Sequence, residues 1–321
     1  MTEDELKRKL DDVYSQIDEI GIAVYVLLKG DDELEPKKLD IEGEALVDLK
    51  ALFMGSLRDN ISNRDELSIL NLSSSDERTN AIYLYDLDIP AELAAMDTVV
   101  ENDDIPLFDF AECELSRIKS LLIEIGNNDH QIVLYKSMAP VNVFGRSSFF
   151  MKKDNQRFKK IDDEFIRISA GFQLMKVSDE LFVIDLVAIE KAFGFHDVII
   201  KEAALGIEAI ETMSVIENIE TLKELVDDVK YARKFTKIAK ASPVIRAGID
   251  NARIIEFCKS FPELQGRIRF NEAGDKIQLD TKVSKNLFIQ LLMDDFLTSE
   301  LTKFHYKSVA KDEADKPNAE E

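Results

Sequence analysis

The chain has 321 residues, with 41 Lys and Arg against 63 Asp and Glu, a formal net charge of −22. Its 45% apolar and 32% charged composition reads as one large or two modest globular domains and excludes a fibrous or wholly disordered chain. The longest apolar run, Ile20–Leu28, is 9 residues, half of the roughly 18 needed for a transmembrane helix; the charged MTEDELKRKL start is expected to lack a secretory signal.

Thr2 with Glu5 has the S/T-x-x-E form of a capping box, and Leu6, Leu10, Val13 and Ile17 follow at helical spacing, so the first helix is expected to run to about Glu19. Ile22–Leu28 reads as a buried strand, Gly30–Glu35 as a polar turn, and Ile41–Leu57 as a helix broken near Gly55. Leu67–Leu72 and Ala81–Asp86 read as strands around the SSSDERTN loop, and Glu92–Met96 as a short helix after Pro90. Glu112–Ile125 is expected to be helical, with Leu115, Ile118, Leu121, Leu122 and Ile125 on one face. From Gln131 to Asp185 the apolar period becomes two, in QIVLYK, FFMKK, FIRIS, FQLMKV and LFVID. That predicts an antiparallel meander of four or five strands, with VSDEL as a hairpin turn.

Beyond Asp185 the pattern turns mostly helical: a short Val187–Phe193 stretch ending at Gly194, then Val198–Met213, Asn218–Ala241, Val244–Lys259 and Ser284–Leu297. RIRF and KIQL, joined by NEAGD, predict a small hairpin, and Ser308–Glu321 is polar and expected to be disordered. The fold class is therefore α+β: an acidic N-terminal α/β portion over residues 1–129, then a meander and helices with a small hairpin over 130–307, and a tail over 308–321.

The boundary near 125–130 rests on charge. Residues 1–129 hold 32 acidic and 12 basic side chains, residues 130–321 hold 31 and 29, and Lys230–Lys285 alone holds 13 basic against 6 acidic. Such asymmetry fits a polyanion-facing surface in the second part. The plainer reading is that an acidic surface keeps a protein soluble.

Chemistry-bearing motifs are sparse. GxxxxGK[ST], GxGxxG and GxSxG are all absent, so neither a nucleotide loop nor a nucleophile elbow is indicated. Cys113 and Cys258 lie far apart without CxxC, and there are three histidines; this argues for a reducing compartment and against a structural zinc site. No cofactor and no metal are expected. In FGFHDV, His196 and Asp197 point apart if helical, and Asp197 is expected as a helix N-cap rather than as an orienter of a catalytic base. Asp280-Thr281-Lys282 has the D-x-K form of a metal nuclease, in which carboxylates hold Mg²⁺ and the lysine polarises water. The required upstream acid normally lies farther away than Asp275, which shares the hairpin, and D-x-K recurs by chance in so charged a chain.

Two basic clusters are the informative feature. MKKDNQRFKK places Lys152, Lys153, Arg157, Lys159 and Lys160 within nine residues, on an expected hairpin with Phe149, Phe150 and Phe158 interleaved. Lys230, Arg233, Lys234 and Lys237 fall at i, i+3, i+4 and i+7 on one helical face, and Lys240 continues the stripe. The same predicted helix opens with Glu217, Glu220, Glu224, Asp227 and Asp228; acid at the start and base at the end also complement the helix dipole. A net anion can still hold DNA, because at about 0.15 M salt the Debye length is about 8 Å and a distant acidic lobe is screened. Nothing in either cluster resembles a base-reading helix, so binding through phosphates is expected to be independent of sequence.

Several segments carry a family resemblance. LMDDFLTSELTKFHYKSVAK after the NEAGDKIQLD hairpin, LFVIDLVAIEKAFGF, IENIETLKELVDDVKYARKFTKIAK and SSSDERTNAIYLYDLDIPAEL resemble the KwaB-like family of the Kiwa anti-phage defence system, over most of residues 70–311. The resemblance implies a DNA-binding subunit that blocks phage replication or late transcription. It also implies recruitment to the inner membrane by an integral membrane partner, KwaA. It assigns no DNA-contact residue and no catalytic group. The combined expectation is a non-enzymatic, sequence-independent binder of double-stranded DNA, cytoplasmic and membrane-recruited, acting as a homodimer or higher homo-oligomer. The alternatives are a metal nuclease using Asp280 and Lys282, or an acidic interaction protein that mimics DNA.

Overall fold

The structure is a computed structural model. It describes residues 1–29, 34–74, 78–102, 104–127, 130–139, 143–144, 150–155, 157–161, 164–186, 189 and 195–308. The chain forms two compact units, Met1–Leu72 with Thr79–Phe195, and Ser73–Arg78 with His196–Glu321. The class is α+β, as expected. The charge step at residue 129 falls inside the first unit, because the strands on either side of it pair across the 126–131 turn.

The first unit begins with α1 (Glu3–Ser15), whose cap is the one anticipated: Thr2 Oγ1 accepts from the Glu5 amide at 3.3 Å and Glu5 Oε2 accepts from the Thr2 amide at 2.8 Å. Residues 16–19 form a turn, so the helix is one turn shorter than expected. Strands β1 (Gly21–Leu28) and β2 (Lys37–Lys38) follow, then α2 (Gly43–Leu57), which passes through Gly55 unbroken and ends in a π turn over Arg58–Ser62. Next come β3 (Ser68–Asn71), β4 (Ala81–Leu84) and α3 (Ala91–Glu101). The Gly30–Glu35 turn and the SSSDERTN loop lie partly outside the described residues.

The helix expected over Glu112–Ile125 is not present: β5 (Ile118–Gly126) takes most of it, preceded by a single 3₁₀ turn at Leu115–Arg117. The physical reason is position. β5 lies between β1 and β6 (Gln131–Ser137) in the sheet. Both its faces are covered, and Ile118, Leu121, Leu122, Ile123 and Ile125 are all buried. A strand buried on both faces shows no alternation, and its apolar residues then match helical spacing by accident.

The remaining strands of this unit are β7 (Val143–Phe144), β8 (Phe150–Asp154), β9 (Arg157–Ile161), β10 (Phe165–Ile166), β11 (Leu174–Val177) and β12 (Glu180–Val183). They are not one meander. The eight-stranded sheet has the order β2-β1-β5-β6-β11-β12-β4-β3, antiparallel except for β3 with β4, while β7 pairs with β10 and β8 with β9 as separate ladders. The VSDEL hairpin is present: Val177 faces Glu180 across the β11–β12 turn, with Ser178 at φ 55°.

Between β6 and β11 the chain therefore leaves the sheet and returns to the adjacent position. Its root is clamped. Gln173 Oε1 accepts from the Ser137 amide at 2.7 Å, and the Gln173 amide donates to the Tyr135 carbonyl at 2.9 Å. Lys136, at 4% exposure, donates from Nζ to Ser169 Oγ at 3.0 Å and to the Gly171 carbonyl at 2.5 Å. Burial holds the Lys136 ammonium below its ordinary pKa.

On the neighbouring rung, the Tyr135 hydroxyl donates to Glu92 Oε1 at 2.5 Å, and Lys119 Nζ lies 2.6 Å from Glu92 Oε2. Burial first, then the Glu92 carboxylate, pushes the Tyr135 hydroxyl well above its usual range. Tyr135→Phe leaves one oxygen of a carboxylate at 4% exposure without its hydroxyl donor. A loss of about 1–3 kcal/mol in urea unfolding is expected; an unchanged midpoint shows that the bond contributes nothing net.

The second unit contains α4 (Phe195–Met213), α5 (Glu220–Lys223), α6 (Val229–Ala241), α7 (Pro243–Arg246), α8 (Asn251–Ser260), the hairpin β13 (Arg269–Phe270) and β14 (Ile277–Gln278), α9 (Lys282–Leu292), and the hairpin β15 (Phe296–Thr298) and β16 (His305–Lys307). The single helix expected over Asn218–Ala241 is two. Asp228 is extended and its side chain accepts from the Lys230 amide at 3.0 Å, so it caps a new helix. Asp250 likewise opens α8 after Gly248 at φ +60°, dividing the expected Val244–Lys259 helix. Asp197 lies inside the first turn of α4 rather than at its cap. The helix expected over Ser284–Leu297 ends at Leu292, and Phe296–Thr298 pairs as a strand. The RIRF–KIQL hairpin is present, whereas most of Val187–Phe193 and the tail beyond Ser308 lie outside the described residues.

Helix α6 buries Tyr231, Ala232, Phe235, Thr236 and Ile238. A Cβ at Gly206 of α4 would lie 2.0 Å from the Phe235 carbonyl oxygen. Backbone meets backbone there, and this contact seats the helix that carries the second basic cluster.

Candidate nucleic-acid interface

The first cluster forms an antiparallel ribbon of β8 and β9, with rungs Phe150–Ile161, Met151–Lys160, Lys152–Lys159, Lys153–Phe158 and Asp154–Arg157. Asn155 turns the chain with φ 55°, a left-handed conformation that asparagine tolerates better than most residues. Among the described residues the two strands join no larger sheet. Directly opposed residues share a face, so Met151, Lys153, Phe158 and Lys160 lie together, while Arg157 and Lys159 lie on the other side. All six are exposed, Met151 at 57% and Phe158 at 69%. Lys152 occupies the rung opposite Lys159. Phe149 lies outside the described residues.

The second cluster is on α6. Lys240 Nζ lies 3.0 Å from Glu202 Oε2, a carboxylate at 8% residue exposure. Lys234 Nζ donates to Asn286 Oδ1 at 3.1 Å and sits 5.3 Å from the Tyr231 ring centroid. Burial lowers the Lys234 pKa, although the Asp295 and Asp228 carboxylates pull it upward. Arg233 and Lys237 are half-buried and Lys230 is exposed. Because Asp228 starts this helix, the acids Glu217, Glu220, Glu224 and Asp227 precede it, and the acid-to-base gradient read along one helix spans two. The ribbon belongs to the first unit and α6 to the second.

Asp280 and Lys282 flank a helix start. Thr281 caps α9, accepting from the Ser284 amide at 3.0 Å while Ser284 Oγ accepts from the Thr281 amide at 3.1 Å. Asp275, the acid nearest in sequence, is held by Asn271 Nδ2 at 2.7 Å. Among the described residues no group of three or more His, Cys, Asp or Glu side chains is placed to hold a metal ion. Cys113 and Cys258 are buried free thiols, and burial pushes Cys258 up to about 12. Among the described residues no helix is long and apolar enough to cross a membrane.

Sequence alone does not identify the Glu92–Tyr135–Lys119 network or the buried Lys136. For Lys136 a signal exists: Ile132, Leu134 and Lys136 share one parity of a strand, so a lysine stands on an apolar face.

A family model, Kiwa protein KwaB-like, matches residues 115–302. The chain is 30% identical to Kiwa protein KwaB of Escherichia coli O55:H7 (strain RM12579 / EPEC) over 325 aligned positions, covering 98% of this chain and 100% of the relative. No solved structure matches it. The match takes in both the ribbon and α6, and the relative is aligned end to end: the chain belongs to the Kiwa protein KwaB-like family.

Proposed function

We propose that this protein is a non-enzymatic DNA-binding subunit of a Kiwa anti-phage complex, which holds double-stranded DNA through phosphates without reading its sequence and thereby blocks phage replication or transcription. Family membership makes it a Kiwa anti-phage component. The DNA-binding reading is carried by one observation: a ribbon that joins no larger sheet among the described residues, with Lys153, Arg157, Lys159 and Lys160 exposed on its two faces. Several ammonium and guanidinium groups on an exposed ladder can displace counterions from neighbouring phosphates, and this gives affinity without specificity. The net charge of −22 does not oppose this at a contact surface beyond about one Debye length. On α6, Lys230 adds to the positive field, while Lys240 and Lys234 are engaged within the protein.

In this reading KwaA, an integral membrane protein, recruits the chain to the inner membrane, and a second copy of the chain doubles the number of ribbons. The test is a gel shift on plasmid and unrelated duplex fragments across a salt titration. Equal affinity for unrelated sequences is expected, with log K falling about 0.9 per neutralised phosphate against log salt, a slope of about −4 for one ribbon. Absence of binding at about 50 mM salt removes the proposal and leaves the acidic interaction protein as the better reading.

A further inference from the structure

The ribbon carries more than charge. Phe158 at 69% and Met151 at 57% exposure are large apolar groups that the fold leaves in water. Each faces a lysine across its rung, Phe158 opposite Lys153 and Met151 opposite Lys160. The result is a checkerboard of two apolar and two cationic side chains on one face, the apolar pair on a diagonal of about 7–8 Å.

We infer that this face holds unpaired DNA: Phe158 stacks on a base, Met151 packs against a neighbouring one, and Lys153 and Lys160 meet the phosphates between them. The inference rests on the DNA-binding reading above and names the form of DNA held most tightly. A duplex presents phosphates and base edges, and the thymine methyl is the main apolar group in its major groove. An exposed phenyl ring gains little there. A single strand presents base faces alternating with phosphates, and every base has a face, so stacking adds affinity without adding sequence preference.

An anionic membrane surface is the competing partner for a cationic, apolar hairpin. Two features oppose it. The turn residue Asn155 is polar and exposed, where a lipid-inserting tip needs apolar residues. The apolar groups are also interrupted by lysines and do not form one continuous edge.

The experiment is fluorescence anisotropy of the full-length chain with a dT strand of about 20 nucleotides, a duplex of equal length, and phosphatidylglycerol vesicles. The strand is expected to bind tighter than the duplex. Phe158→Ala is expected to weaken strand binding about 10-fold, the effect of one lost base–aromatic stack, with its salt slope unchanged and duplex binding within about 2-fold. Phe158→Tyr is expected to keep wild-type affinity, because it keeps the ring. Strand affinity unchanged in Phe158→Ala, while charge reversal of the ribbon lysines abolishes binding to both DNAs, overturns the stacking role and leaves the DNA reading intact. Loss of vesicle binding alone in Phe158→Ala overturns it in favour of a membrane surface. Failure of the wild-type chain to bind either DNA removes both readings together.

Discussion

Replacing Lys152, Lys153, Lys159 and Lys160 together by Glu is expected to remove DNA binding. Counterion release gives each lysine–phosphate contact about 0.9 of slope in log K against log salt, so four lost contacts flatten the slope by about 3–4 and lower affinity on the order of 1,000-fold at about 0.15 M salt. The reversed charges add repulsion to that loss. Fold is expected to be retained, because Lys153, Lys159 and Lys160 are exposed and the hydrophobic core lies elsewhere in the unit. Circular dichroism checks the fold and a salt-titrated gel shift checks the binding. An unchanged slope shows that the ribbon does not touch phosphates, and attention then passes to Lys230 and its neighbours on α6.

Gly206→Ala is expected to have the largest effect on stability. The added methyl would lie 2.0 Å from the Phe235 carbonyl oxygen and 2.7 Å from its carbon. Both atoms are backbone, so no rotamer change relieves the overlap and α4 must move away from α6. Overpacking of this kind costs about 3 kcal/mol or more, read as a lowered urea midpoint and thermal transition. Gly55 is the control. It sits inside α2, and a methyl added there would meet nothing within 4 Å, so Gly55→Ala is expected to stabilise by about 0.5–1 kcal/mol. Equal midpoints for the two variants show that α4 and α6 do not meet at this glycine.

What is legible in the sequence follows from how local each signal is. The Thr2–Glu5 cap, the VSDEL turn and the basic ribbon each lie within ten residues and depend on groups that are neighbours in the chain. All three are present as read. β5 reads as a helix because side chains on both its faces are buried, Ile118 and Leu122 on one and Leu121, Ile123 and Ile125 on the other, and that burial is a property of the sheet's place in the unit and not of the segment. The break at Asp228 is hidden because acids at the start of a helix fit the dipole argument as well as they fit a cap; its bond to the Lys230 amide is what distinguishes the two. The Glu92 network joins residues 43 positions apart, and no pattern along the chain announces it. The apolar side of the ribbon is half legible: Phe158 stands visibly among the lysines, but its sharing a face with Met151 requires the register.

The clamp beneath the ribbon separates architecture from adaptation. Because the chain departs after Ser137 and re-enters at Gln173 on an adjacent position of the sheet, the intervening 35 or so residues are an insertion whose length the sheet scarcely registers, since closure entropy grows only with the logarithm of loop length. Lys136 and Gln173 act as its hinge-pins and are constrained by packing, while the ribbon tip is free to drift. The charge, reach or aromatic content of this excursion can therefore be changed without disturbing the scaffold that bears it.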